Sequence, residues 1–367
     1  MKNSNKVSAF LLIIFISALS FLTFFRHETN ESLTEFPEIT LENLLDDSYS
    51  KQLSSFFVDN FAGRDKWVSV SAKIKSWLSE SIVNDVYISK NRLLSVDTVS
   101  MESTENSANI INEFVRNYDG TLYFVAVPTS SGVYSDMLPS YLFSTTEKQQ
   151  IDTLYEQLDT SIRKIDAYNI LKMLSDNYIY YRSDSKWTSY GAFCVYRTVI
   201  QKLGFMPVSY DKYTIEHITD DYKGNLYVRT QYMESKPDLL DICTYSDSSE
   251  IISCTGYDNS GMTYKKNLYE RDAVDSDDMY RLYLGEKLPF IRINTSVSNN
   301  KKLLVIGDDY TSCFVPFLTQ HYSEIAVVFP ECMEKNLEKF INPDDYEQTL
   351  FLFGIDSLND DIFNYMR

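Results

Sequence analysis

The chain has 367 residues, of which 44% are hydrophobic and 14% aromatic, a composition typical of a globular protein and not of a disordered one. Its formal net charge is -18, from 34 basic and 52 acidic residues. Binding of the general surface to nucleic acid or to anionic lipid requires basic side chains, so this charge argues against both classes of partner.

No metal ion or cofactor is expected. There are only three histidines, which is few for a His-based metal site, and the five cysteines match no zinc-ligand spacing. Two of the cysteines, Cys243 and Cys254, are close enough in sequence to bridge a local loop. Two interpretations therefore stay open for this pair, a disulfide or two buried free thiols.

The amino terminus carries an uncharged apolar run at residues 9–25, AFLLIIFISALSFLTFF, preceded by Lys2 and Lys6. The run is short for a membrane-spanning helix and long for the core of a signal peptide. Because no A-x-A-like cleavage site follows, we favour a transmembrane anchor, with a cleaved signal peptide as the alternative. The two lysines predict a cytoplasmic segment at residues 1–8. A single-pass membrane protein would then have a spacer at residues 26–50 and an extracytoplasmic domain at residues 51–367.

The first half of the predicted domain alternates helical and extended segments. Apolar residues at helical spacing predict a helix within residues 50–80, interrupted near Gly63. Residues 86–94 alternate in polarity around a Lys-Asn turn pair, which predicts a hairpin. A buried strand is predicted at Leu122–Val127, and an amphipathic helix over residues 145–165.

The second half predicts a helix, an insertion and the rest of the sheet. Thr188 or Ser189 caps a helix that Gly204 ends. Residues 210–290 are rich in Asp, Ser and Tyr, and we interpret them as an insertion of strands and long loops. A helix is predicted between each pair of the three buried strands that follow, Leu303–Ile306, Ile325–Phe329 and Thr349–Phe353. This pattern predicts an α/β fold with a central, mainly parallel sheet.

Two short segments carry the chemistry. At residues 301–318 an apolar strand turns through Gly307, Asp308 and Asp309 into a predicted helix. Such a turn lies at the carboxyl edge of the sheet, where open α/β folds hold their sites. Hydrolases of this architecture place a nucleophilic Ser or Cys on the turn, and here the position holds Asp309. The second segment, Asp184-Ser-Lys-Trp187, also leads into a helix.

In their order and setting these segments resemble the DHHW family, which belongs with SGNH-hydrolase-like proteins related to alginate O-acetylation proteins. The resemblance implies a three-layer SGNH-hydrolase-like fold with a Ser-His-Asp triad. It covers most of the chain after the apolar run, through further segments in the same order: FVDNFAGR at 57–64, VYIS at 86–89, VPT at 127–129, VY at 133–134, LP at 138–139, YKGNL at 222–226 and FVPFLTQHYSEI at 314–325.

The resemblance also implies roles for three residues. The family pattern D-x-H-W places its acid at Asp184 and its His at Lys186, and the family pattern G-D-S places its Ser at Asp309. Lys has a reference pKa of ~10.4 and is a poor base near neutral pH. An ionised Asp repels the negative charge that develops during acyl transfer. We therefore predict a salt bridge between Lys186 and Asp309 across a degenerate site.

An alternative nucleophile is Ser312, one helical turn after Asp309, which would pair with Lys186; Cys313 is a weaker candidate. The simpler interpretation of Ser312 is an ordinary polar position in the first turn of a helix. Two functions follow. A degenerate member would bind a carbohydrate or a cell-envelope protein as an accessory in surface polysaccharide modification. An active member would be an O-acetyltransferase or acetylesterase on an exopolysaccharide or cell-wall glycan. A purely structural surface protein is a third interpretation.

Overall fold

The computed structural model of the protein describes residues 49, 52–54, 56, 64–77, 81–97, 100–139, 142, 146–234, 236–245, 249–359, 362, 363 and 365. The cytoplasmic segment and anchor expected at residues 1–25 lie outside these ranges, as does most of the expected spacer. Within the ranges, no helix has the length and apolar character that a bilayer span requires. The chain divides into two compact units, Met1–Glu80 with Thr230–Tyr232, and Ser81–Arg229 with Met233–Arg367.

The first unit contains helix α1, Arg64–Trp77. The interruption that the sequence predicts near Gly63 lies outside the described residues. The small residue Ala72 of α1 is fully buried. Three larger apolar side chains are about half exposed: Trp67, Val70 and Ile74. These three residues lie on the side of the helix opposite Ala72. The buried side of α1 is therefore the side that carries Ala72, and the apolar stripe is exposed.

The second unit opens with a small antiparallel sheet of strands β1 (Ile82–Val83), β2 (Val86–Ile88) and β3 (Leu93–Ser95). Strands β2 and β3 pair as the predicted hairpin. Helix α2 (Met101–Arg116) follows. Ser100 caps it, because its hydroxyl accepts a hydrogen bond from the Ser103 N–H at 3.0 Å.

Ten more strands follow in the described residues: β4 (Thr121–Val127), β5 (Arg163–Lys164), β6 (Thr214–Tyr222), β7 (Asp238–Thr244), β8 (Ile251–Tyr257), β9 (Thr263–Lys265), β10 (Phe290–Thr295), β11 (Lys302–Gly307), β12 (Glu324–Val328) and β13 (Gln348–Gly354). Eight of them form the main sheet in the order β5-β4-β13-β11-β12-β10-β8-β9, and β6 pairs with β7 alone. Neighbouring strands from β5 to β12 in this order are parallel. The remaining three strands, β10, β8 and β9, each pair antiparallel with the strand before them in the order. The predicted α/β fold with a mainly parallel sheet is confirmed.

The remaining helices among the described residues are α3 (Ser130–Val133), α4 (Glu147–Gln157), α5 (Ala167–Met173), α6 (Ser189–Lys202), α7 (Asn225–Thr230) and α8 (Asp309–Phe314). Helix α6 is capped as predicted, since the Thr188 hydroxyl accepts from the Gly191 N–H at 3.2 Å. Gly204, just beyond its end, has a φ of +93°, a conformation that glycine adopts without strain. Short 3₁₀ helices lie at Ser135–Met137, Tyr210–Lys212, Arg271–Asp275, Met279–Leu282, Val315–Gln320, Pro330–Cys332, Leu337–Lys339, Pro343–Asp345 and Ile355–Ser357.

Both faces of the main sheet are covered. In β11, Leu303 and Val305 belong to one buried cluster together with Val195 of α6. Leu304 and Ile306 belong to a second cluster, which also contains side chains of α2 and α4. Alternate residues of one strand are therefore buried on opposite faces, which explains why the strand is a continuous apolar run.

Two predictions about helices are wrong. The helix expected over residues 145–165 ends at Gln157. The Asp159 carboxylate accepts hydrogen bonds from the N–H and hydroxyl of Ser161, which forms a turn before β5. No α-helix lies between β12 and β13, where three 3₁₀ helices occur instead. Two of these, beginning at Pro330 and Pro343, have a proline at the first turn, where the missing N–H costs nothing.

The segment expected as an insertion, residues 210–290, is partly integrated into the sheet. Strands β6 and β7 form their own ribbon, as an insertion would. Strands β8 and β9 instead extend the main sheet, with β8 pairing along β10. Of the two interpretations of Cys243 and Cys254, the free thiols are found, as they are for the other three cysteines.

Candidate functional site

The turn after β11 is held by the carboxylate of Asp308. Its Oδ1 accepts a hydrogen bond from the Tyr310 N–H at 3.0 Å, and its Oδ2 accepts from the Gly354 N–H at 2.7 Å. One buried side chain thus connects the start of α8 to the end of β13. Burial raises the pKa of Asp308 to about 7, although a hydrogen bond from Ser357 opposes that shift.

Gly307 allows this turn to pack tightly. A Cβ at this position would lie 2.0 Å from Thr311 Oγ1 and 2.2 Å from the carbonyl oxygen of Leu352. Both distances are well below van der Waals contact. The glycine before Asp308 is therefore required by close approach of the neighbouring strand and helix.

The second segment, Asp184 to Trp187, contacts the same helix. Trp187 is fully buried and its ring packs against Tyr310 and Phe314 of α8. The Tyr310 hydroxyl donates a hydrogen bond to the Ser185 carbonyl at 3.0 Å. The two segments that the sequence singles out, more than a hundred residues apart, thus form one site at the carboxyl edge of the sheet.

Asp184 is a buried acceptor in this site. It is 1% exposed, and its carboxylate accepts hydrogen bonds from the Tyr222 hydroxyl and from the Asn225 N–H at 3.2 Å. Its Oδ1 also accepts from the Lys186 N–H at 3.1 Å. This arrangement fixes the carboxylate, as an orienting acid requires.

Charged side chains alternate across the site. Lys186 Nζ lies 3.5 Å from Asp184 Oδ1 and 3.6 Å from Asp309 Oδ2, so the predicted contact between Lys186 and Asp309 is present. Both distances are those of ion pairs and are too long for hydrogen bonds. On its other side, Asp309 Oδ1 lies 2.7 Å from Lys287 Nζ, which also contacts Glu331.

The electrostatics keep both Lys186 and Asp309 charged. Burial lowers the pKa of Lys186, but the carboxylates of Asp184 and Asp309 outweigh burial, and the net result is a raised pKa. Burial raises the pKa of Asp309, but the ammonium groups of Lys186 and Lys287 outweigh it, and the net result is a lowered pKa. At neutral pH, Lys186 is a cation with no lone pair to accept a proton, and Asp309 is an anion.

A cavity of about 230 Å³ opens beside these charges. Tyr280, Arg281, Lys287, Asp309 and Ser312 are among the residues that line it. The Tyr280 hydroxyl is buried and has no hydrogen-bond partner among the described residues, and the Tyr280 ring lies 5.0 Å from Lys186 Nζ.

Ser312, the alternative nucleophile, is 3% exposed and lines the same cavity. In the described part of the chain no hydrogen bond joins its hydroxyl to Lys186. A role for Ser312 as nucleophile stays a prediction.

Sequence reasoning missed Lys287 and Tyr280. Both lie in the long irregular stretch before β10, where no periodicity or motif marks a side chain as part of a site. Across the residues that the structure describes, no group of three or more His, Cys, Asp or Glu side chains is placed to hold a metal ion.

The model of the DHHW protein family matches residues 76–328, more than half of the chain. The chain belongs to the DHHW family. Among solved structures, this DHHW protein is similar to PatB1 of Bacillus cereus with a sulfonyl adduct, with a TM-score of 0.65 and 20% identity over 77% of this chain and 98% of that one. It is also similar to a DHHW family protein of Eubacterium siraeum, with a TM-score of 0.64 and 20% identity over 76% and 97%.

A weaker likeness connects this DHHW protein to the O-acetyltransferase domain of Pseudomonas putida AlgJ, with a TM-score of 0.46 and 14% identity over 74% and 91%. No curated protein matched the sequence. At these identities, the likeness to PatB1 and to the Eubacterium protein shows that the DHHW protein shares their fold.

Proposed function

We propose that this DHHW protein is a catalytically inactive member of its family that binds a carbohydrate, as an accessory in the modification of a surface polysaccharide. The observation that carries the proposal is the position of Lys186, whose ammonium contacts both Asp184 and Asp309. The family resemblance supports the polysaccharide. We further propose that the apolar run at residues 9–25 anchors the chain in a membrane, with the domain outside.

The chemistry of the three positions supports the loss of activity. A triad needs a hydroxyl that attacks, a base that removes its proton and an acid that orients the base. Of these, only the orienting acid remains, at Asp184. Lys186 is held protonated by two carboxylates, and Asp309 places negative charge where acyl transfer develops more of it.

The cavity beside the charges supports binding. It is lined by the charged groups of Arg281, Lys287 and Asp309, all of them partly exposed. Sugars pair with such surfaces because their hydroxyls both donate and accept hydrogen bonds.

Hydrolysis of p-nitrophenyl acetate by the purified full chain tests inactivity. We expect the natural protein to hydrolyse the ester no faster than buffer alone. The variant Lys186→His/Asp309→Ser, which restores both family residues, should gain activity. The control is Lys265→His/Asp176→Ser, which makes the same replacements at exposed positions. Equal rates for both variants would mean that the site is not a degenerate form of the family triad.

Calorimetric titration with neutral and uronic-acid oligosaccharides tests binding. Lys287→Met removes a partly exposed ammonium group that lines the cavity. We expect affinity to fall about fivefold, the contribution of one hydrogen bond. Binding that is unchanged in Lys287→Met would place the sugar elsewhere.

An active enzyme is the second candidate, and the presence of Ser312 in the same cavity favours it. Its test uses the same assay. If the natural protein hydrolyses the ester and Ser312→Ala abolishes the activity, the inactive assignment is wrong and Ser312 is the nucleophile.

A further inference from the structure

Helix α1 exposes large apolar side chains and buries a small one, the reverse of what is usual for a helix on a protein surface. Trp67 and Ile74 are each 52% exposed and Val70 is 47% exposed, whereas the small Ala72 is fully buried. With 3.6 residues per turn, the spacing of three and four residues places the three large side chains in one stripe. A helix packed only against protein would turn this stripe inward.

Basic residues border the stripe. Residues 64–77, RDKWVSVSAKIKSW, contain four basic residues and one acidic residue, a net charge of +3 in a chain whose total is -18. Lys66 and Lys73 are exposed and lie next to the stripe on the helix surface. The preceding residues 26–63 contain two basic and eight acidic residues, a net charge of -6. The positive charge is therefore confined to the helix that also exposes its apolar residues.

We propose that α1 lies in the headgroup layer of an anionic membrane, with Trp67, Val70 and Ile74 directed into the lipid. An exposed apolar stripe that includes Trp, a basic border and low overall hydrophobicity are properties that α1 shares with interfacial helices. Trp favours the boundary between headgroups and acyl chains. The overall acidic surface repels such a membrane, and α1 is the local exception that binds it.

The inference rests on the proposed membrane anchor, which lies 38 residues before α1 in the sequence. An anchor at residues 9–25 would hold α1 near the bilayer at high effective concentration, so that a weak interfacial helix suffices. The two contacts together would hold α1 at the membrane surface.

Fluorescence of the full chain reconstituted into vesicles tests the inference. The vesicles are phosphatidylcholine alone or with about one third phosphatidylglycerol, each with and without brominated acyl chains that quench nearby Trp. The Trp67 signal is the difference between Trp77→Phe and Trp67→Phe/Trp77→Phe, because Trp187 is buried in both. We expect bromine to quench Trp67 in the anionic vesicles.

Charge removal gives the matched comparison. In Lys66→Gln/Lys73→Gln, the equilibrium constant for docking of α1 on the membrane should fall about 25-fold, roughly fivefold for each lysine. Lys212→Gln/Lys265→Gln removes two exposed lysines of the other unit and should change nothing.

Four outcomes would overturn the inference. Equal quenching of Trp67 in neutral and anionic vesicles would remove the role of the lysines. Loss of Trp67 quenching as the protein-to-lipid ratio rises would assign the stripe to a second copy of the chain, which shields Trp67 from the lipid. Failure to float with vesicles of either composition would remove the anchor and the inference together, whereas flotation without Trp67 quenching would overturn the inference alone.

Discussion

Lys287 Nζ lies 2.7 Å from Asp309 Oδ1, closer to that carboxylate than Lys186 Nζ, which lies 3.6 Å from Asp309 Oδ2. The Asp309 carboxylate is therefore shared by two cations. Lys287 comes from the irregular segment before β10, and Lys186 from the segment before α6. The carboxylate connects these distant parts of the chain at the edge of the sheet.

Removing Lys287 tests how much this contact stabilises the fold. The side chains of Lys287 and Asp309 are 30% and 37% exposed, so water screens their attraction. We expect Lys287→Met to lower the free energy of unfolding in urea by about 1 kcal/mol, with a coupling to Asp309→Asn of similar size in a double-mutant cycle. Lys302→Met, whose lysine lies 3.9 Å from Glu324, is the control and should cost less. A coupling near zero would show that Lys287 is exchangeable.

The pKa values of two adjacent carboxyl groups, Asp308 and Asp309, should be shifted in opposite directions. The pKa of Asp308 is raised to about 7, chiefly by burial, and that of Asp309 is lowered from 3.8 because two ammonium groups outweigh burial. Carboxyl ¹³C chemical shifts, assigned with Asp308→Asn and Asp309→Asn, should show one group titrating near neutral pH and the other below pH 3.8. Both groups titrating together near pH 4 would contradict the geometry of the turn.

The same shifts predict how stability depends on pH. Asp309 stabilises the folded state above pH 3.8, and this contribution is lost as pH falls through its lowered pKa. Asp308 has the opposite sign: its unfolded form ionises first, so stability falls as pH rises from 3.8 to about 7. Asp308→Asn should remove this part of the fall between pH 4 and 7, whereas the part from Asp356, whose pKa burial also raises to about 7, should remain. Urea unfolding at several pH values would measure the difference.

The sequence predicted the strands of this site because each is a short, fully apolar run. In β11, residues 303–306 are buried on both faces of the sheet, so the strand appears in the sequence as an uninterrupted apolar run. Asp184, Lys186 and Asp309 were found through motifs that precede helices and through the family resemblance. Such motifs are local, and local signals survive in a single sequence.

The features that the sequence did not predict depend on contacts between residues far apart in the chain. Nothing around Lys287 predicts its contact with Asp309, and nothing in β8 predicts that it extends the main sheet instead of the ribbon beside it. In α1, spacing indicates a stripe but not which side of the helix is buried. Tertiary packing determines these contacts and the buried side of the helix, and the residue pattern of a single segment carries no information about that packing.

His321 should remain neutral well below its usual pKa. Its Nε2 lies 2.7 Å from the Tyr196 hydroxyl, whose oxygen already accepts from the Val208 N–H. The oxygen has a second lone pair, so the direction of the contact depends on the ring tautomer. The tautomer with a lone pair on Nε2 gives the hydroxyl hydrogen an acceptor, and protonation of that nitrogen would break this bond. Burial lowers the pKa of His321 to about 4.

Proton NMR of the histidine rings tests this assignment. The His321 signal should not titrate between pH 8 and 5, whereas exposed His217, whose pKa is raised by its hydrogen bond to Asp241, should titrate above 6.5. Because the unfolded ring binds a proton first, the contribution of His321 to stability should be lost as pH drops from 6.5 towards 4, a slope opposite in sign to that of Asp308. A His321 signal that moves with a midpoint near 6.5 would mean that the Tyr196 contact does not hold.

Asp238 should be the most costly carboxylate to remove near the site. It is fully buried and accepts hydrogen bonds from the Tyr178 hydroxyl at 2.6 Å, from the Arg182 N–H, and from both the N–H and hydroxyl of Ser183. These bonds hold the backbone directly before Asp184. Asp238→Ala leaves several buried donors unpaired and should lower the free energy of unfolding by about 3 kcal/mol or more.

The control for Asp238 is Asp221→Ala, in the same two-stranded ribbon. Asp221 is largely exposed and pairs only with its neighbour Lys223 and the turn around it, so its loss should cost no more than about 0.5 kcal/mol. Asp238→Asn keeps one accepting oxygen and should fall between the two. If Asp238→Ala unfolds in urea at the same midpoint as Asp221→Ala, the turn before Asp184 is held by other contacts, and the rigid placement of Lys186 has a different origin.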